Sequence, residues 1–387
     1  MAGRPADRDA DRASEAARTV TIATPWRTAA IALLLAAVNV GVGLAIATET
    51  ERTFDFIQVM AWSAEWLRGE NPYAPPLSLA DYPPSSLVLF APLAAMPLHV
   101  ALGAWVAVNA VLAAVIAWLA ARLVITGTAA MTLACAVLAL PPFRTLNQFS
   151  IAAFAPALAG VWLAPRHPIT AGIAIGLSLI KPHIGGPALL WAIVSRRWTT
   201  LAAALGTQAA LGAFYLARTA APLNVPSEYL QAIARTQNRA DLIAGETNLQ
   251  PLLSGVPLTP VALQVLSASL LAVGLVVIWR KRESDFDLRF FGAACLLSLL
   301  SFRHLGYNLL LAIPVLVWAL SHDHRVVRVT GAAAFLVLVA SPPTLWRYVI
   351  EPLLGGTMGG AIPDHAYRVV LIALFVLLMA APARQRA

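Results

Sequence analysis

Apolar runs separated by short polar gaps recur from Trp26 to the C-terminus. They fall near residues 27–47, 84–97, 100–121, 128–142, 149–164, 168–180, 184–195, 200–217, 259–279, 286–302, 305–320, 326–341 and 365–381. A helical span of the bilayer takes about 20 apolar residues (range ~17–25). The longer runs therefore predict membrane-spanning α-helices. Runs of only 12 to 15 residues predict half-helices, re-entrant segments or spans extended by their flanks. Polar stretches at 48–83, 218–258 and 342–364 interrupt the series. In lipid only helices and closed barrels satisfy their own backbone polar groups, and the pattern predicts an all-α polytopic transmembrane helical bundle of about 12 spans. No internal repeat is visible, so the inverted-repeat signature of many secondary transporters is missing.

Composition excludes the soluble classes. Of 387 residues 12% are charged and 59% hydrophobic, against about 25% and about 45–50% in soluble domains. Cys135 and Cys295 both lie inside apolar runs and read as small hydrophobes rather than a disulfide or metal framework. The formal charge of +8 comes from Arg and Lys set singly or in pairs at run ends. No basic patch with interleaved aromatics points to nucleic acid. Residues 1–25 alternate Arg with Asp and Glu and lack the apolar core of a signal peptide. They predict a disordered cytoplasmic tail ahead of a membrane domain over 26–387.

Basic residues orient the spans. Arg4, Arg8, Arg12, Arg18 and Arg27 place the tail inside, whereas the segment holding Glu49, Glu51, Asp55, Glu65, Glu70 and Asp81 carries only Arg52 and Arg68 and is placed outside. With Arg196-Arg197, Arg280-Lys281-Arg282 and the His322 to Arg328 cluster inside, alternation puts Lys181-Pro182-His183, loop 218–258 and Arg303-His304 outside. Parity then requires one run not to cross. The run 84–97, opened by Pro83-Pro84 and broken by Pro92 and Pro97, is the candidate half-helix. The result is a multi-pass protein of the cytoplasmic membrane whose chemistry faces the external or periplasmic side.

The first external loop is the most informative segment. Read as a helix over 54–68, it aligns Asp55, Gln58, Trp62 and Glu65 on one stripe, as in a helix lying in the membrane interface with tryptophans at headgroup level. Gly69 fits the helix stop, Asn71-Pro72 a turn, and Tyr82-Pro83-Pro84 the return to the membrane. A carboxylate at the first turn after a membrane helix is placed to meet a lipid-linked substrate.

The order Asp55-x-x-Gln58, Gly69-x-Asn71-Pro72-Tyr73 and Tyr82-Pro83-Pro84 after the first span resembles the signature of glycosyltransferase family 87. That family is a branch of the GT-C superfamily that includes polyprenol-phosphate-mannose-dependent α-1,2-mannosyltransferases. The resemblance continues in Asn147-Gln148, in Lys181-Pro182-His183 and in Ser301-Phe302-Arg303-His304-Leu305-Gly306-Tyr307-Asn308, and covers residues 27 to 320. His183 stands where family members often have Gln. The resemblance implies a GT-C-type bundle, a polyprenyl-phosphate-linked sugar donor, mannose foremost, a glycan or glycolipid acceptor, and Asp55 as the base of an inverting transfer.

The residues support that chemistry on their own. Transfer from a polyprenyl phosphate needs a base for the acceptor hydroxyl, and the phosphate leaves as a stabilised anion, so one carboxylate with a cationic phosphate site is enough. A retaining route needs a second carboxylate at about 5–5.5 Å. Glu65 lies too far along the helix for this, while Glu51 and Asp81 stay open. Lys181, His183, Arg303 and His304 are the candidate phosphate or sugar contacts, with Gln58, Asn71, Tyr73, Tyr82, Asn147 and Gln148 as further substrate contacts. Cations at the membrane edge are functional hypotheses by default, and snorkelling is the competing reading for Lys181 and Arg303. Loop 218–258 is the candidate acceptor-binding segment. No cofactor is expected and no acidic cluster has metal-site spacing, although a divalent metal held by converging loop acids stays open. The competing functional class is a lipid or sugar transporter or flippase, and a third is an envelope scaffold.

Overall fold

The computed structural model describes residues 20–21, 26–47, 53–74, 80–126, 128–237, 260–281, 286–302, 304–340 and 361–381. Arg303, Glu51, residues 238–258 of the long polar stretch, 342–360 of the last one and 1–19 of the tail lie outside them.

The described chain is helical. It comprises α1 (Trp26–Ile46), α2 (Phe54–Leu67), α3 (Pro84–Ala94), α4 (Leu98–Arg122), α5 (Thr128–Leu138), α6 (Phe149–Leu163), α7 (Pro168–Ser178), α8 (Pro182–Val194), α9 (Trp198–Arg218), α10 (Val225–Gln237), α11 (Pro260–Lys281), α12 (Phe286–Ser301), α13 (Ile313–Leu320), α14 (Arg325–Ala340) and α15 (Ala361–Ala380). Short 3₁₀ helices cover Pro141–Arg144 and Gly306–Ala312. The extended pairing among the described residues is a two-residue parallel bridge, Val20–Thr21 with Ile125–Thr126. By length and composition, three helices among the described residues can cross a membrane: α1, α4 and α9. Several others are shorter. An 11-residue helix such as α3 or α7 is only about 16 Å long, half of the ~30 Å hydrocarbon core.

Proline explains many of the breaks. It opens α3, α7 and α8 at their first position, where its missing N–H is harmless. The run 305–320 divides into a 3₁₀ turn and α13 just ahead of Pro314. Backbone freed by such breaks must find partners inside the protein, and polar residues within the long spans supply them. Asn39, buried in the middle of α1, donates to the Leu138 and Leu140 carbonyls at 2.8 and 2.9 Å and accepts from Arg144. In α4, Asn109 donates to the Leu146 and Gln148 carbonyls at 2.7 and 3.3 Å, and Trp105 to the Asn147 carbonyl at 3.0 Å. The irregular segment 139–148 is thus tied to two long helices, α1 and α4.

Small residues let the central helices close up. α7 lies along α9 with Gly172 and Gly176 one turn apart on the contact face. A Cβ on Gly176 would sit 2.7 Å from the Thr207 Cβ and 2.9 Å from the Ala204 carbonyl oxygen. α6 packs on α7 and α8, and α12 on α8, α11 and α13. Buried Arg289 of α12 caps the end of α15, donating to the Leu378 carbonyl at 2.8 Å and to that of Ala381 at 3.1 Å.

Candidate active site

The amphipathic pattern of α2 positions Asp55. Phe56, Val59, Met60, Ser63 and Trp66 face inward, and the Phe56 ring stacks on Trp105 and Phe149 with centroids 6.4 and 6.2 Å apart. Asp55 and Gln58 fall on the half-buried flank. The helix stops as the sequence suggests. Gly69 takes φ +84°, its N–H donates to the Trp66 carbonyl at 2.8 Å, and the Glu70 N–H donates to Glu65 at 3.1 Å, the paired bonds of a glycine C-terminal cap.

The turn that follows is tied inward. Asn71 accepts from the Tyr73 N–H at 3.1 Å and donates to the Glu228 carboxylate on α10. Tyr73, fully buried, donates to the Tyr82 carbonyl at 2.7 Å and packs edge-on against Tyr229, 5.2 Å between centroids. The Ala220 N–H donates to the Gly69 carbonyl at 3.1 Å. The described part of loop 218–258 and the first loop are therefore clasped together. Asn71 and Tyr73 have their polar groups engaged in that clasp, and through it they support Tyr82.

Lys181 occupies the turn between α7 and α8 and is buried. Its ammonium donates to Ser150 Oγ at 3.0 Å and stands over the rings of Tyr307 and Tyr82, 4.8 and 5.8 Å from their centroids. Ser150 in turn donates to Asn308 Oδ1 at 2.5 Å. The Tyr307 hydroxyl lies 3.5 Å from Asp55 Oδ2, the outer limit of a hydrogen bond. Burial pulls the Lys181 ammonium down to about 8, against the opposing pull of Asp55 and Asp81. Burial also raises the Asp81 carboxyl above its usual range, with Lys181 acting the other way, and it holds the Tyr82 phenol un-ionised beside Asp55.

The first turns of three helices meet around Lys181. Ser86 in the first turn of α3 donates to the Ile180 carbonyl at 2.8 Å, Ser150 belongs to the first turn of α6, and Lys181 directly precedes α8. Helix N-termini carry unsatisfied N–H groups and partial positive charge, which suits phosphate. Gln148 is the N-cap residue of α6 but its side chain does not cap, and its Oε1 is buried without a hydrogen bond. The carbonyls of Asn147 and Gln148 serve the fold.

The histidines form a neutral layer behind Lys181. The His183 and His304 rings meet edge to face at 4.8 Å. His304 Nε2 lies 3.1 Å from the Ser298 carbonyl oxygen, and Ser298 Oγ donates to the His183 carbonyl at 2.6 Å. Burial, then the Lys181 charge, pushes His304 down to about 3, so at neutral pH the charge at this point belongs to Lys181 and the imidazoles act as uncharged hydrogen-bonding groups. His183 Nε2 and His304 Nδ1 are buried without partners.

The geometry thus joins Asp55, Tyr82, Lys181, His183 and His304 into one centre. It adds Ser150, the motif residues Tyr307 and Asn308 as contacts in their own right, and the carboxylate of Asp81. Among the described residues no group of three or more His, Cys, Asp or Glu is set to hold a metal ion.

Residues 81–305 match the model of glycosyltransferase family 87. The chain belongs to glycosyltransferase family 87. Comparison with curated proteins and with solved structures returns no match. As a family 87 member the chain is a membrane glycosyltransferase, and its apolar helices place it in the bilayer. The matched segment holds Tyr82, Lys181, His183 and His304, while Asp55 and Tyr307 reach the same centre from outside it. In this family 87 chain the centre is assembled by packing across the ends of the match.

Proposed function

We propose that the protein transfers a hexosyl residue, mannosyl foremost, from a polyprenyl-phosphate donor to a glycan or glycolipid acceptor at the outer face of the cytoplasmic membrane. Asp55 serves as general base and the anomeric centre inverts. The observation that carries this reading is the joint placement of Asp55 and Lys181 about one aromatic side chain, Tyr307.

Lys181 and the N-termini of α3, α6 and α8 receive the donor phosphate, whose charge grows as the glycosyl bond breaks. Asp55 takes the acceptor hydroxyl proton as that oxygen bonds to the anomeric carbon. The leaving polyprenyl phosphate keeps the bond's electron pair as a stable anion, so no general acid is required. The unpaired atoms of Gln148, His183 and His304 offer contacts for donor or sugar oxygens. Asp81, raised by burial, acts as a partner for Lys181 rather than as a nucleophile. The clasp of the first loop on α10 supports an acceptor site beside Asp55. Basic run ends such as Arg122, Arg166 and Arg196-Arg197 at the opposite ends of the helices support the external placement, with about 12 segments entering or crossing the bilayer.

The test is product identification. Membranes with and without this protein are incubated with labelled polyprenol-phosphate mannose. A mannosylated product should form only where the protein is present. Labelled product from a nucleotide sugar alone would refute the donor class.

A further inference from the structure

The opposite end of the bundle carries a second site. α8 runs for 13 residues from Lys181 towards the other membrane face, about 20 Å at 1.5 Å per residue. Its C-terminal end opens on a cavity of about 430 Å³ between α8, α11 and α12, within the ~300–1,000 Å³ typical of ligand sites. Leu190, Leu275 and Phe290 form its apolar walls, and Arg196, Trp198 and Trp279 complete it. All three of these last residues are exposed, as rim residues would be.

The backbone at the rim is unusual. The Arg196 N–H donates to the Ile193 carbonyl at 3.0 Å and the Arg197 N–H to Ala192 at 2.8 Å, the same paired cap that ends α2. That cap requires a left-handed residue, which is Gly69 in α2, whereas here Arg196 takes it with φ 55°. Glycine is the default at such a position, so arginine there carries a conformational cost. Arg197 lies 3.7 Å from Asp287, and Trp191 and Ser195 donate to that same carboxylate at 3.1 and 3.2 Å. Among the described residues no carboxylate lies within ion-pair distance of Arg196.

We propose that this groove binds one anionic glycerophospholipid of the surrounding bilayer, its acyl chain between α8, α11 and α12 and its phosphate on the Arg196 guanidinium. Charge complementarity selects the occupant. A guanidinium grips phosphate oxygens in pairs, basic pockets between membrane helices take acidic headgroups, and indoles sit at headgroup level. A neutral prenol or an apolar helix would fill the walls and leave the arginine without a partner, and a polyprenyl phosphate is separated from a glycerophospholipid by the competition below.

Native mass spectrometry of the purified full chain, exposed to equimolar phosphatidylglycerol and phosphatidylcholine of matched acyl length, tests this. Phosphatidylglycerol adducts should exceed phosphatidylcholine adducts by about fivefold. Arg196→Gln should bring the ratio close to one. Arg196→Gly should do the same while melting no lower than the parent, since glycine relieves the left-handed position. Arg122→Gln, at the end of α4, should leave the ratio unchanged. Equal adducts in the parent, or a preference that survives both Arg196 variants, overturns the proposal. So does displacement of phosphatidylglycerol by a polyprenyl phosphate whose retention is insensitive to Arg196→Gln.

Discussion

The Lys181 ammonium stands 4.8 Å from the centre of the Tyr307 ring, and the hydroxyl of that ring lies 3.5 Å from Asp55 Oδ2. One tyrosine therefore faces both charges of the proposed reaction. Its ring stabilises the cation through the π face, and its O–H can hold the carboxylate oriented towards the acceptor.

Tyr307→Phe separates these two roles. It keeps the ring under Lys181 and removes the hydroxyl, so kcat should fall about tenfold, the worth of one hydrogen bond to a charged group, with the donor KM little changed. Tyr307→Ala should raise the donor KM as well. Steady-state kinetics on both variants distinguish the effects.

The donor KM should depend on pH through Lys181. Its ammonium is lowered to about 8 by burial, so it is charged below that pH and loses its proton as pH rises through it. A phosphate contact made by the charged form weakens in the same direction, and the donor KM should rise about tenfold per pH unit above 8. In Lys181→Arg the guanidinium stays charged, and the rise should disappear from the range up to pH 10. A donor KM flat across pH 7–10 in the parent would remove Lys181 from the phosphate site.

The clasp between the first loop and α10 predicts an acceptor-side phenotype. Asn71→Ala leaves the partly buried Glu228 carboxylate without its donor, a loss of about 1.5–3 kcal/mol. The acceptor KM should rise about tenfold or more while the donor KM changes little. An equal rise in both would indicate general loosening of the external loops.

The α7–α9 contact has no room to spare. Gly176→Leu forces a side chain into a space where a bare Cβ already lies 2.7 Å from Thr207, and overpacking of this kind costs about 1–3 kcal/mol. Gly186, whose added Cβ would meet nothing within 4 Å, should accept alanine. Thermal unfolding in detergent compares them directly.

Much of the helical frame is legible as apolar runs. The runs at 100–121, 149–164 and 200–217 are α4, α6 and α9 to within a few residues, because lipid and core both reward continuous apolar sequence. Asp55 and Lys181 stand out for the complementary reason, as charges beside long stretches that exclude charge. Tyr307 and Asn308 stand in the sequence only as the end of the motif that begins at Ser301, and Ser150 only inside an apolar run; what they do there arises from contacts across 158 and 252 positions of sequence. The histidines show the same limit. As motif residues they suggest cations, and only burial beside Lys181 shows that His304 is neutral at pH 7. The count of about 12 spans sets aside only the run 84–97, whereas several further helices are too short to cross alone.

The whole mechanism depends on the Asp55 carboxylate acting as the base. The most direct measurement is the initial rate of transfer by purified Asp55→Asn with a polyprenyl-phosphate donor and its acceptor, beside proof that the variant inserts and binds donor as the parent does. The expected result is a loss of at least ~100-fold in kcat with donor affinity retained. An Asp55→Asn enzyme that transfers at the parental rate would contradict the account.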